Sequence, residues 1–272
     1  MTPLFARSSL ITAFERLLVR GGALKRLTLH VRYGLVRHPK DGPILIDTGY
    51  TEAALRAPGR GAFLWIYSKL FRAKLLPLSQ PEAFLARHGL APSDIKTIII
   101  THFHADHVSG LHLFPSARIL LHGPAFERLK SASALVNLRR GTFSELIPAD
   151  AASRAVDVTQ MPRVALENGL DEGWDLFGDS SAIGVDLPGH ADGHFGLLFP
   201  NLSPPLLYAC DAQWLIKALE LGCAPRFPAN LVATNPRAAA LSERRIAAFR
   251  AGGGTVMTCH DPNPAPFDED VP

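Results

Sequence analysis

The chain has 272 residues, 47% of them apolar and 19% charged, so it can bury a substantial core and is not generally disordered. No apolar run approaches the roughly 20 residues of a bilayer-spanning helix, and three cysteines (Cys210, Cys223, Cys259) without a CxxC pair exclude a disulfide framework and a thiolate zinc site, as fits a reducing cytoplasm. The net charge of +3 divides into +12 over residues 1–140 and −9 over the rest, but the basic residues are scattered among apolar ones, which favours a solvated surface over nucleic-acid contact.

Taken in chain order, Ser9–Val19 spaces its apolar positions as an amphipathic helix ended by Gly21-Gly22, within an N-terminal helical arm over 1–26 that is also a candidate homodimer surface. Arg7 and Glu15 interrupt that stretch and no clean apolar core leads to a cleavage site, so it reads as mature protein. Strands are predicted at Leu27–Val36 and Pro43–Ile46, separated by the turn residues of HPKDG. Residues 53–80 are aromatic and basic together and read as a lid or pocket wall. An ordinary helix with a core face and an amphipathic membrane-surface or partner helix are the alternatives. A helix follows over Pro81–His88, then a β-branched strand over Asp94–Ile100. Further strands are expected at Ala117–Leu121, Ala182–Leu187, Phe195–Phe199, Leu206–Ala209 and Thr255–Thr258, with helices at Gly123–Lys130 and Pro236–Ala251. Strands and helices alternate without a long linker or repeat, which predicts one α/β domain over 1–272.

The chemistry concentrates in His102-Phe103-His104-Ala105-Asp106-His107, directly after the IKTIII strand. In an extended segment residues i and i+2 point to one side, so His102 and His104 can reach one metal. Asp106 and His107 follow where the chain turns and can face a second. Four ligand-type side chains in six residues suit metal binding better than a solvated loop. Downstream, His190, Asp211 and His260 each follow an apolar strand, where loops over a sheet edge build sites. Five histidines and two aspartates suffice for two divalent ions with positions open for water and substrate. Imidazole and carboxylate without thiolate suit Zn²⁺, with Fe, Mn, Co or Ni as alternatives.

Ile46-Asp47-Thr48-Gly49, His102-x-His104-x-Asp106-His107, Gly189-His190, Asp211 and His260 stand in an order and spacing that resemble the metallo-β-lactamase superfamily over nearly the whole chain. The resemblance implies an αββα four-layer sandwich, two mixed sheets flanked by helices, with the site at one edge of the sheets. It implies His102, His104 and His190 on one metal, Asp106, His107 and His260 on the other, and Asp211 bridging both. The true β-lactamases of this superfamily lack that carboxylate, so β-lactamase activity is not expected. Cys210 and Cys259 adjoin ligands but, as strand neighbours of them, are expected to pack inward.

Within the superfamily the chain is most similar to the dinuclear-zinc N-acyl-homoserine lactone lactonases, the quorum-quenching enzymes, through GPILIDTGY, FLARHGLAPSDIKTIIITHFHADHVSG, PGHADGH, LLYACDA and His260-Asp261. Two positions depart from that family: Ala105 stands where an aromatic residue is common, and Trp214 where a tyrosine is usual. An indole N–H donates a hydrogen bond but neither ionises nor accepts one.

The resemblance thus implies a metal-dependent hydrolase that opens an acyl-homoserine lactone, or a similar apolar lactone or ester. Two ions sharing a water lower its pKa from 15.7 toward about 7, and the metal-bridging hydroxide would attack the carbonyl while Asp106 protonates the leaving alkoxide. Trp65, Tyr67 and Phe71, with Ala105, Trp214 and His122, are candidate pocket residues for a small molecule with an apolar tail, although a bland role fits His122 better. Asp47 is expected to orient a ligand histidine, with turn capping as the alternative role, and His194 to sit behind the metals. His112 is expected at the surface or as satisfied core, and His30, His38 and His88 at surface or turn positions. A phosphodiesterase or nuclease, or a thioester hydrolase, on the same metals is the alternative, although no basic exosite arm for a polyanion is evident. A metal-binding protein without turnover is the non-enzymatic reading. Gly252-Gly253-Gly254 precedes a strand and reads as a helix cap, not a phosphate loop.

Overall fold

The computed structural model describes residues 1–19, 21–56, 60–222 and 233–269, which fall into two compact units. One comprises Pro3–Thr12, His30–Asp157 and Ala265–Pro272; the other comprises Met1–Thr2, Ala13–Leu29 and Val158–Pro264. Cys223 lies outside the described residues. Among the described residues no helix is long and apolar enough to cross a membrane.

In chain order the strands are β1 (Leu4–Phe14), β2 (Arg26–His38), β3 (Gly42–Ile46), β4 (Lys74–Leu75), β5 (Thr97–Ile99), β6 (Arg118–Leu121), β7 (Ala155–Asp157), β8 (Arg163–Ala165), β9 (Glu172–Asp175), β10 (Ile183–Asp186), β11 (Phe195–Phe199), β12 (Leu206–Cys210) and β13 (Thr255–Thr258). The helices are α1 (Glu15–Leu18), α2 (Glu52–Arg56), α3 (Ala62–Phe71), α4 (Pro81–Arg87), α5 (Ala105–Val108), α6 (Gly123–Ser131), α7 (Ala134–Arg139), α8 (Ala151–Arg154), α9 (Ile216–Glu220) and α10 (Pro236–Ala251).

The first sheet runs β4-β1-β2-β3-β5-β6-β7. Its centre is parallel: Ile44 pairs with Thr97, and Thr97 with Arg118. Every residue of β5 is buried, as a β-branched run in a parallel sheet covered on both faces should be. The ends of β3 and β5 therefore point the same way and place Asp47 beside the loop that begins at Thr101. The second sheet runs β13-β12-β11-β10-β9-β8, antiparallel except where β12 and β13 run parallel. Against it α10 buries Ile246 and Phe249 among Ile183, Val185, Leu198 and Leu207. That helix starts where Asn235 accepts the Ala238 N–H and Pro236 takes the first turn, and Gly252 ends it. Two mixed sheets flanked by helices are the α/β class read from the sequence.

The N-terminus differs from expectation. Residues 4–14 form β1 where a helix over 9–19 was predicted, and only Glu15–Leu18 are helical. Pairing of Ser9 with Leu75 and Leu10 with Lys74, with the Ser8 hydroxyl donating to the Val31 carbonyl, overrides the local helical spacing. Within the expected helical arm over 1–26, residues 4–14 are thus strand and the helix is reduced to one turn. Residues 53–80 contain α2, α3 and β4. The strand expected over 94–100 is shortened to β5 by a 3₁₀ turn at Pro92–Asp94.

Candidate metal centre

In the first unit the buried Asp47 closes β3 in the left-handed region, with φ 56°. Its carboxylate accepts the Thr101 N–H at 2.9 Å and lies 2.9 Å from Nδ1 of His107. The backbone N–H and hydroxyl of Thr48 both donate to the His107 carbonyl at 2.8 Å. His107 thus turns Nε2 away from Asp47, toward Asp106, whose Oδ2 stands 3.6 Å off. On the same loop, Nε2 of His104 donates to the Arg140 carbonyl at 2.9 Å, which leaves Nδ1 as an acceptor 3.0 Å from Nε2 of His102. Gly141 makes this approach available: its φ is +67°, and a Cβ there would stand 3.0 Å from the His104 ring.

In the second unit, Gly189 after β10 has φ +123°, and a Cβ would fall 2.0 Å from the backbone nitrogen of Ala239 in α10. Only glycine lets the chain turn here and present His190. One oxygen of Asp211, Oδ2, lies 3.4 Å from Nε2 of His190 and 3.1 Å from Nε2 of His260. Burial opposes charge on His260, but the negative charges of Asp211 and Cys259, with hydrogen bonds to both, raise its pKa well above the usual imidazole value. His194 accepts the Asp211 N–H at Nε2 and donates from Nδ1 to the Leu187 carbonyl, so both its ring nitrogens are engaged. Trp214 packs edge-to-face against His260 at 5.4 Å and His190 at 6.2 Å. Asp261 accepts the Ile216 N–H at 2.7 Å and fixes the loop that carries the indole.

Two donors on one tetrahedral ion, with bonds of about 2.0–2.1 Å, stand roughly 3.3 Å apart. The separations at His102–His104, Asp106–His107, His190–Asp211 and His260–Asp211 span 3.0–3.6 Å, so within each unit the donor set fits a divalent metal in spacing and chemistry. All seven residues are buried, where paired imidazole and carboxylate groups need a compensating partner.

Several expectations are corrected. His122 caps α6 by accepting the Ala125 N–H, a structural role of the bland kind its sequence context favours. Trp65 turns outward, 49% exposed with the Lys69 ammonium over its ring, whereas Tyr67 and Phe71 pack together and Tyr67 meets Phe143. Cys259 is buried as expected, but is not turned away from Asp211 and His260. β13 ends at Thr258, so strand alternation no longer governs it, and its thiol lies within 4.8 Å of the donor atoms of Asp211 and His260. Cys210 is fully buried, but its sulfur lies 3.7 Å from Oδ1 of Asp211. His30 is buried rather than superficial, whereas His38, also buried, stands at the expected turn, where its ring accepts the Lys40 and Asp41 N–H groups. Ala105 is fully buried at the start of α5, and His112 lies by Ser109 in a cleft of about 480 Å³ with Arg56, Arg60 and Leu64. The sequence reading missed Tyr50, whose buried hydroxyl has no hydrogen-bond partner among the described residues. Burial and then the Asp106 charge push that phenol up, and Arg60 opposes them. Its place at the end of IDTGY was the available signal.

Residues 28–214 match the profile of the metallo-β-lactamase superfamily. Among curated relatives, the N-acyl homoserine lactonase AttM of Azorhizobium caulinodans is 26% identical over 245 residues, spanning 89% of this chain and 86% of its own length. AttM of Agrobacterium fabrum is 27% identical over 238 residues, spanning 86% and 82%. A solved structure of a variant of AiiA from B. thuringiensis, with N-decanoyl-L-homoserine bound at its active site, aligns with TM-score 0.71 at 20% identity, covering 96% of this chain and 94% of that one. AidC, a dizinc quorum-quenching lactonase, aligns with TM-score 0.60 at 16% identity, covering 96% and 88%. At these identities the structural likenesses show a shared fold.

Proposed function

We propose that this chain, which belongs to the metallo-β-lactamase superfamily, is a metal-dependent hydrolase that opens N-acyl-homoserine lactones or similar apolar lactones. The observation that carries the reading is Asp211, whose single oxygen Oδ2 faces the imidazoles of both His190 and His260. A bridging carboxylate has that geometry, and the named lactonase relatives cover most of the chain. His102, His104 and His190 hold one ion, Asp106, His107 and His260 the other, with Asp211 shared and zinc as the metal. Such ions, when bound, polarise a carbonyl and lower the pKa of a water toward about 7.

The chain's own groups do the rest. Asp47 holds the Nδ1 proton of His107 and so keeps Nε2 available as a donor. Ring opening adds water across the acyl C–O bond. Asp106 receives the proton shed by the attacking water on a carboxylate oxygen and passes it to the departing alkoxide. Trp214 offers an apolar wall beside the imidazoles, with no hydroxyl to support the substrate carbonyl. Tyr67 and Phe71, on the half-buried side of α3, supply apolar contact for a tail, as the inward-facing part of the segment over 53–80. The chain acts as one functional domain, and the buried thiols of Cys210 and Cys259, which form no disulfide, suit a reducing compartment such as the cytoplasm.

The test is a substrate panel on zinc-reconstituted protein: an N-acyl-homoserine lactone, an aryl ester, a bis-aryl phosphate, a glutathione thioester and a cephalosporin. Lactone turnover far above the others is expected. Phosphodiester or thioester turnover above the lactone would replace this reading.

A further inference from the structure

Helix α3 is apolar almost all round. Leu64 and Ser68 are buried, and Tyr67 and Phe71 are half-buried on the same side. The opposite side does not turn polar, as a surface helix should. Phe63, Ile66 and Leu70 form an i, i+3, i+7 stripe that is 36%, 50% and 74% exposed, with Trp65 beside it. The helix α7, which packs against α3, also exposes Leu135 and Val136. A contiguous exposed apolar patch of this kind marks an interaction surface.

Charge selects the occupant. Between Glu52 and Glu82 the sequence holds five cations (Arg56, Arg60, Lys69, Arg72, Lys74) and no carboxylate. Lys69, Arg72 and Lys74 are all exposed, on α3 or just beyond its C-terminal end. A second copy meeting this face about a two-fold axis would set these cations against themselves. A surface of anionic headgroups over acyl chains matches both the apolar stripe and its basic border.

We propose that the outward face of α3 docks on an anionic lipid membrane, with Phe63, Ile66, Leu70 and Trp65 at the acyl boundary and Lys69, Arg72 and Lys74 on the headgroups. This stands apart from the reading of the metal centre, although a substrate with an apolar tail also partitions into such a surface.

The experiment is cosedimentation of the metal-loaded full chain with phosphatidylglycerol–phosphatidylcholine vesicles and with phosphatidylcholine vesicles. Binding at least ten-fold tighter to the anionic vesicles is expected, weakening with salt, with a blue shift of tryptophan emission that Trp65→Phe removes. Lys69→Ala with Arg72→Ala should weaken binding roughly thirty-fold, at roughly five-fold per cation. Leu70→Asp should abolish it while turnover of a short-chain lactone and the melting temperature stay unchanged. Absence of binding to anionic vesicles at low salt, or equal binding to neutral ones, overturns the proposal. So does a dimer in light scattering that Leu70→Asp dissociates, which would give the face to a second copy. The Lys69/Arg72 double variant keeps the test decisive if Leu70→Asp does not fold.

Discussion

Oδ2 of Asp47 lies 2.9 Å from Nδ1 of His107, with both side chains wholly buried. In the proposed metal site, Asp47 would be the acceptor that fixes the tautomer of the His107 imidazole. Asp47→Asn keeps the shape, but with its one amide oxygen accepting the Thr101 N–H it turns an NH2 donor, not an acceptor, toward Nδ1 of His107. A fall of about 10–100-fold in metal affinity is expected, read by competition with a chelator. Unchanged affinity would reduce Asp47 to a turn cap.

A second prediction concerns the C-terminal segment. Arg32 is fully buried, and its guanidinium donates to both oxygens of Asp268 at 2.7 and 2.9 Å, where Phe5 and Asp268 form a β-bridge. Asp268→Ala leaves a buried cation without its main partner and should cost about 3–5 kcal/mol in urea unfolding. Arg32→Met with Asp268→Leu should recover most of that. If the double variant is as unstable as the single one, packing rather than the unpaired charge accounts for the loss.

A third prediction concerns pH. Burial raises the pKa of Glu243, on α10, above its ordinary value. The folded chain therefore holds this proton more tightly than the unfolded chain. The contribution to stability is complete below the ordinary glutamate range and is lost as pH rises through the raised value. Glu243→Gln, which can still accept from Gln213, should raise the melting temperature at pH 8 and leave it unchanged at pH 4. An equal gain at both pH values would contradict burial of the charge as the cause.

Much of this was legible in the sequence, for local reasons. Helix α10 was read from Pro236 to Ala251 because Asn235, Pro236 and Gly252 mark its ends by backbone chemistry. The loop from His102 to His107 was readable because ligand types crowd six positions after a β-branched strand. Where partners distant in sequence decide, the reading failed. Ser9–Val19 carries helical spacing, but its first half is drawn into a sheet with the preceding residues by distant partners. Cys259 follows the last strand residue, so the alternation that should have turned it away from Asp211 and His260 no longer applies. Trp65 and Tyr67 stand two apart on one helix, and only packing on Phe143 decides which faces in. His122 precedes Gly123-Pro124, a helix start that could have identified it as a cap.

The central claim is that Asp211 joins two sets of ligands into one dinuclear centre. Elemental analysis of purified protein, wild type and Asp211→Ala, after exhaustive dialysis tests it most directly. Two divalent metals per chain in the wild type and at most one in the variant are expected, with turnover reduced roughly a thousand-fold, the several kcal/mol that metal polarisation supplies. A wild-type chain without metal, or a variant that retains two ions and full rate, would contradict the account.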